Sequence, residues 1–126
     1  MKRVYIAVAV LLACLAVSLF SYFTIINSCK TLITKSESVI ESTESGDFSR
    51  AEKENEEIQR LWKKYTFSFS LLTTHFHYDS LEENVDKLNR EIKARNKDRI
   101  KESASQLIFD AKHIITTIKP KPENVF

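Results

Sequence analysis

A run without a single charged residue, residues 4–29, constrains this chain more than any other feature of it. Residues 4–26 are dominated by Val, Leu, Ala, Ile and Phe. As a helix they extend roughly 34 Å, enough to cross a hydrocarbon core of about 30 Å. We read residues 1–29 as an N-terminal transmembrane signal anchor and residues 30–126 as a domain folded outside the bilayer. Two rivals share this composition. A cleaved signal peptide carries a shorter apolar region of about 7–15 residues, whereas here hydrophobicity continues past Ala13 and Ala16 through Phe20, Tyr22, Phe23 and Ile26. Leu11-Leu12-Ala13-Cys14 resembles a lipobox, but acylation at Cys14 would leave a second apolar stretch behind it, a redundant anchor. Lys2 and Arg3 form a short basic flank ahead of the run. The positive-inside rule then predicts a single-pass protein of the cell membrane with a cytoplasmic N-terminus and an extracytoplasmic C-terminal domain.

With Lys2 and Arg3 set aside, the remaining basic residues match the 17 acidic ones, so the outer domain is formally neutral. A neutral domain lacks the cationic excess that displaces counterions from a polyanion, and nucleic acid is not an expected partner. Cys14 lies inside the apolar run and Cys29 at its end, so the outer domain has no disulfide framework. Cys29 offers a route to a homodimer, against the commoner outcome of an unpaired thiol.

A single Gly and two Pro among many Glu, Lys, Leu and Ile favour long helices. Leu32, Ser36, Val39 or Ile40, and Thr43 recur at helical spacing until Gly46 and Asp47 interrupt. Ser49-Arg50-Ala51-Glu52 reads as a capping box opening a second helix near Arg50. Its stripe is Ile58, Leu61, Trp62, Tyr65, Phe69, Leu72 and Phe76; a third runs Tyr78, Leu81, Val85, Leu88 and Ile92. The two registers do not match, which predicts a break between Thr73 and Ser80, with Ser80 and Glu83 as a new cap. Asn96 marks a left-handed helix end, after which Ile100, Ala104, Leu107, Ala111, Ile114 and Ile118 step by four and three until Pro120 and Pro122. Val125 and Phe126 are expected to dock. The economical fold is all-α: a transmembrane helix followed by an antiparallel bundle of about four helices. A long two-helix hairpin, with the second and third helices continuous, is the alternative.

Acidic residues gather around the first turn and basic ones around the second. Lys93, Arg95, Lys97, Arg99 and Lys101 are a candidate basic patch for an anionic polymer or lipid, against the reading that two adjacent turns compensate each other. His75, His77 and Asp79 invite a metal reading, but on a helix His77 is rotated away from the other two, and His113 has no spacing argument; no metal or cofactor is expected. One Gly argues against a nucleophile elbow or a phosphate loop, so the chain is not expected to be an enzyme. Residues 65–78 are the most unusual stretch, with no formal charge apart from its histidines. A second helix from Arg50 to Thr74 would be roughly 38 Å long against about 24 Å for residues 30–45, and would overshoot toward the bilayer. Phe67, Phe69, Phe76 and Tyr78 are therefore candidates to touch the lipid interface or a partner's membrane segment, against burial in the core.

With the anchor, the Trp62 helix, the His75 to Asp79 stretch and the closing Pro122-Glu123-Asn124-Val125-Phe126 in view, the whole chain resembles a bacterial family known as domain of unknown function 4363. The resemblance implies short, largely Gram-positive proteins with one membrane segment and a helical remainder. It implies no reaction, ligand or active-site residue. The expected role is a non-catalytic accessory or interaction module for another membrane or envelope protein. The contrasting expectation, an extracytoplasmic sensor or small-ligand-binding bundle, is weaker because only residues 1–3 would remain on the cytoplasmic side to carry a signal.

Overall fold

The computed structural model describes residues 1–72 and 75–118. Among the described residues the chain is α1 (Lys2–Glu44), α2 (Phe48–Leu72), α3 (His75–Ala94) and α4 (Lys97–Ile118), with no strand. α1 packs on α2 and α4, and α3 packs on the same two, so the helices close into an antiparallel four-helix bundle. α2 and α3 lie side by side as separate helices, which excludes the long hairpin. The junction at Thr73 and Thr74, and the tail with Pro120, Pro122, Val125 and Phe126, lie outside the described residues.

Each helix enters the core along one stripe. Buried positions are Ile25, Cys29, Leu32, Ser36 and Val39 on α1; Ala51, Asn55, Ile58, Trp62 and Phe69 on α2; Leu81, Val85, Leu88 and Ile92 on α3; and Ile100, Ala104, Leu107, Ala111 and Ile114 on α4. Steps of three and four keep each seam turned toward its neighbours. Each fully buried Leu or Ile removes enough apolar surface from water to contribute about 1.5–3 kcal/mol. The core begins lower on α1 than the expected domain boundary at residue 29. Ile25, Ile26, Ser28 and Cys29 are all buried, and α1 runs through that boundary unbroken.

Both distal turns end a helix with a left-handed residue. Gly46 has φ 81° and Arg95 φ 55°. At the first, Asp47 N–H donates to Ser42 O at 2.8 Å and Gly46 N–H to Thr43 O at 3.1 Å. At the second, Asn96 N–H donates to Glu91 O at 3.3 Å and Arg95 N–H to Ile92 O at 3.1 Å. This pairing satisfies the last carbonyls of each helix. The caps differ from the sequence expectation. Asp47 Oδ1 accepts from Arg50 N–H at 3.1 Å, so α2 starts at Phe48 and Ser49 lies inside its first turn. Asn96 is the N-cap of α4, its Oδ1 accepting from Arg99 N–H at 3.3 Å, while Arg95 takes the left-handed position. Ser80 caps nothing: it lies within α3, and its hydroxyl donates to Asp110 Oδ2 at 3.0 Å.

Polar side chains fix the lateral register. Asn55 Nδ2 donates to Asn89 Oδ1 at 2.9 Å, Gln59 Nε2 to Val85 O at 3.0 Å, and Asn84 Nδ2 to Asp110 Oδ2 at 2.6 Å. Asn55 and Asn84 are buried, so each pair offsets a desolvation cost that sliding would expose.

Candidate functional site

The lower part of α1 has no neighbour. Among the described residues, the large exposed apolar side chains Met1, Val4, Tyr5, Ile6, Val8, Val10, Leu11, Leu12, Leu15, Val17, Leu19, Phe20 and Phe23 fall on this segment and only Phe67 and Phe109 elsewhere. α1 is long and apolar enough to cross a membrane, and no other described residue covers its most apolar window.

The height of the other helices relative to this segment follows from one ion-pair cluster. Lys35 Nζ lies 3.1 Å from Glu54 Oε2 and also bonds Glu57. The Glu57 hydrogen bond, then that of Glu54, raises the Lys35 pKa, and the Lys35 hydrogen bond and charge hold Glu57 below the usual carboxylate range. Carried down two antiparallel helices of equal rise, this register brings Phe67 level with Phe23. The end of α2 therefore reaches past the start of the core, and Ser21, Tyr22 and Thr24 are half-buried.

The four aromatic residues proposed from sequence as an interface part company. Phe67 is 71% exposed. Phe69 is fully buried, its ring centroid 5.4 Å from that of Trp62, and is a core residue with no surface to offer. It continues the Ile58–Trp62 seam, whereas Phe67, two positions earlier, points to the opposite side. Tyr78 is half-buried: its ring lies 5.5 Å from Trp62 and its hydroxyl shares a hydrogen bond of 3.1 Å with Thr66. The side chain of Phe76 lies outside the described residues.

The basic turn meets the acidic one. Lys101 Nζ is 3.7 Å from Glu44, Arg95 is 3.9 Å from Glu52, and Arg99 is 3.9 Å from Glu91. The Arg95 guanidinium also lies 5.8 Å from the Phe48 ring centre. Lys93 and Lys97 are exposed. These are solvated pairs, each worth about 0–1 kcal/mol, at the bundle end about 30 Å from the bare segment.

Cys29 is fully buried, and burial pushes its thiol up to about 12, so it is not presented to a second copy. His77 and His113, distant in sequence, come together across α3 and α4 with centroids 4.7 Å apart, and Phe109 stacks on His113 at 6.1 Å. Phe109 is 64% exposed, and nothing in the fourth stripe foretells it except that it lies off that stripe. Among the described residues no three metal-binding side chains converge; the side chain of His75 lies outside those described. Above this aromatic row an open groove of about 300 Å³ runs between α3 and α4, lined by Asn84, Lys87 and Glu91 on one side and Arg99, Glu102 and Gln106 on the other.

The family model that matches covers residues 19–125 and is described as a domain of unknown function, DUF4363. The chain belongs to this family. The match starts at Leu19, just below the point where the bundle begins to cover α1, so the DUF4363 unit coincides with the bundle and leaves most of the bare segment outside. No curated protein and no solved structure matches the chain.

Proposed function

We propose that this DUF4363 protein is a membrane-anchored, non-catalytic helical module of the bacterial cell envelope that binds or supports another membrane protein, with its N-terminus cytoplasmic and its bundle extracytoplasmic. The continuity of α1 carries the reading: one helix is both the bare apolar rod and a wall of the core. Residues 4–23 make a rod of about 30 Å, the thickness of a hydrocarbon core, and aromatic residues stand at both ends of it, Tyr5 below and Tyr22 and Phe23 above. The bundle is then held at a fixed height, without a linker, which suits a support. Several buried and half-buried polar groups hold helices together: Asp110 takes Ser80 and Asn84, and Asn55 takes Asn89. The exposed row of Phe109 and His113, above the bilayer, is the face offered to a partner.

A photoreactive amino acid placed at Phe109 in living cells is expected to yield a reproducible adduct with a membrane protein, and one placed at exposed Glu56 is not. Recovery of the intact full-length chain in the soluble fraction after a carbonate wash would overturn the reading. The sensor alternative draws support from the α3–α4 groove. It requires that small polar metabolites raise the unfolding temperature of the full chain and that Arg99→Ala abolish the shift.

A further inference from the structure

We infer that the outer face of α2, just above the bare segment, is a docking surface for the anionic phospholipid headgroups of the bilayer that α1 crosses. The inference rests on the membrane reading above and adds a lipid class and a set of residues to it. Arg60, Lys63, Lys64 and Phe67 are all exposed and lie on one strip of α2, since Lys63 and Lys64 precede Phe67 by four and three residues. Phe67 is level with Phe23, where the exposed apolar part of α1 ends. The two basic residues thus stand about one helical turn, 5.4 Å, farther from the hydrocarbon, within a headgroup layer about 5–7 Å thick. Aromatic at the boundary and lysine one turn above is the arrangement that lets a ring sit in the interface while ammonium groups reach phosphate.

The charge pattern agrees. No acidic residue occurs on α1 before Glu37, nor between Arg60 and Tyr78, so no carboxylate on those segments stands between Lys63 or Lys64 and the boundary, and Lys30 and Arg60 stand about one turn higher. Of the carboxylates that precede the strip on α2, Glu57 is bonded to Lys35, and Glu56 is exposed one turn above Arg60, on the side away from the boundary. A shallow hollow of about 290 Å³, lined by Glu57, Arg60, Leu61, Lys64 and Tyr65, opens beside the strip, with Lys64 Nζ held 5.3 Å from the Tyr65 ring. The acidic residues of this half of the bundle, Asp79, Glu82 and Glu83, belong to α3, so the rim is basic on one side and acidic on another. The distal Lys93, Lys97 and Lys101 stand about 20–25 Å above the strip, more than two Debye lengths away, and take no part.

The test is lipid retention by the full chain reconstituted in vesicles of equal parts phosphatidylcholine and phosphatidylglycerol, read by native mass spectrometry after gentle detergent release. Phosphatidylglycerol is expected to be retained several-fold over phosphatidylcholine, since each basic residue at an anionic surface is worth about fivefold in local partitioning. R60Q/K63Q/K64Q is expected to bring the ratio near one with helicity and unfolding temperature unchanged, and K93Q/K97Q/K101Q to leave it intact. Co-flotation with the vesicles but no enrichment, or equal loss in both triple variants, overturns this proposal alone. Failure to co-float overturns the anchor and this proposal with it.

Discussion

The two halves of α1 share one unbroken axis and have opposite surroundings. From Ile25 to Thr43 the helix buries one stripe against α2 and α4 and turns Lys30, Glu37 and Glu41 outward. Residues 4–20 carry no charge on any face, and no other described residue covers them. A one-sided stripe can be satisfied by protein. A helix apolar all round has no face to leave in water, which is why we propose the bilayer as its surroundings.

Substitutions matched across the two halves sharpen this contrast. Leu32→Ala, in the upper half, is expected to destabilise the bundle by about 2–5 kcal/mol in denaturant unfolding of the detergent-solubilised chain, while Leu12→Ala leaves the unfolding midpoint in place. Equal effects would break the distinction. Leu12→Arg is expected to cost about 2.5–3.5 kcal/mol of membrane insertion, seen as loss from the carbonate-washed pellet, without changing the helicity of the bundle. Ser36 is fully buried with its hydroxyl unpartnered, so Ser36→Ala is expected to stabilise by about 1 kcal/mol in the same unfolding assay.

The smallest effect concerns the seam between Lys35 and Glu57. Because Lys35 holds Glu57 below its usual range, the stabilisation is complete above that range and fades as pH falls through the lowered value. Because Glu57 and Glu54 raise Lys35, its share persists below the usual lysine range and is lost as pH rises through the raised value. The unfolding midpoint should therefore be flat across neutrality and fall at both extremes, and Glu57→Gln should flatten the acid limb.

Most of the fold was legible because helix periodicity is local. The fourth stripe, Ile100 through Ile114, is buried position for position, and the register slip after Leu72 does mark the change from α2 to α3. Caps were read one or two residues off: Asp47 rather than Ser49 accepts from the free amides of α2, and Arg95 rather than Asn96 takes the left-handed position, because only the chain path decides which side chain faces those amides. The second stripe already placed Phe69 with Ile58 and Trp62 and left Phe67 off it; grouping both as interface candidates gave the uncharged composition of residues 65–78 more weight than its period. The basic strip of Arg60, Lys63 and Lys64 had a signal, the lack of acids through residue 78, but its meaning needs a height above the bare segment.

By itself the sequence determined that a rod of uncharged residues precedes a helical domain, since hydrophobicity and its period are properties of neighbouring residues. Only the tertiary structure decided that the rod and the domain share one helix, that Ile25 and Cys29 belong to the core, and that His77 meets His113. Those facts depend on which faces of distant segments pack together, and packing is settled by the whole bundle at once.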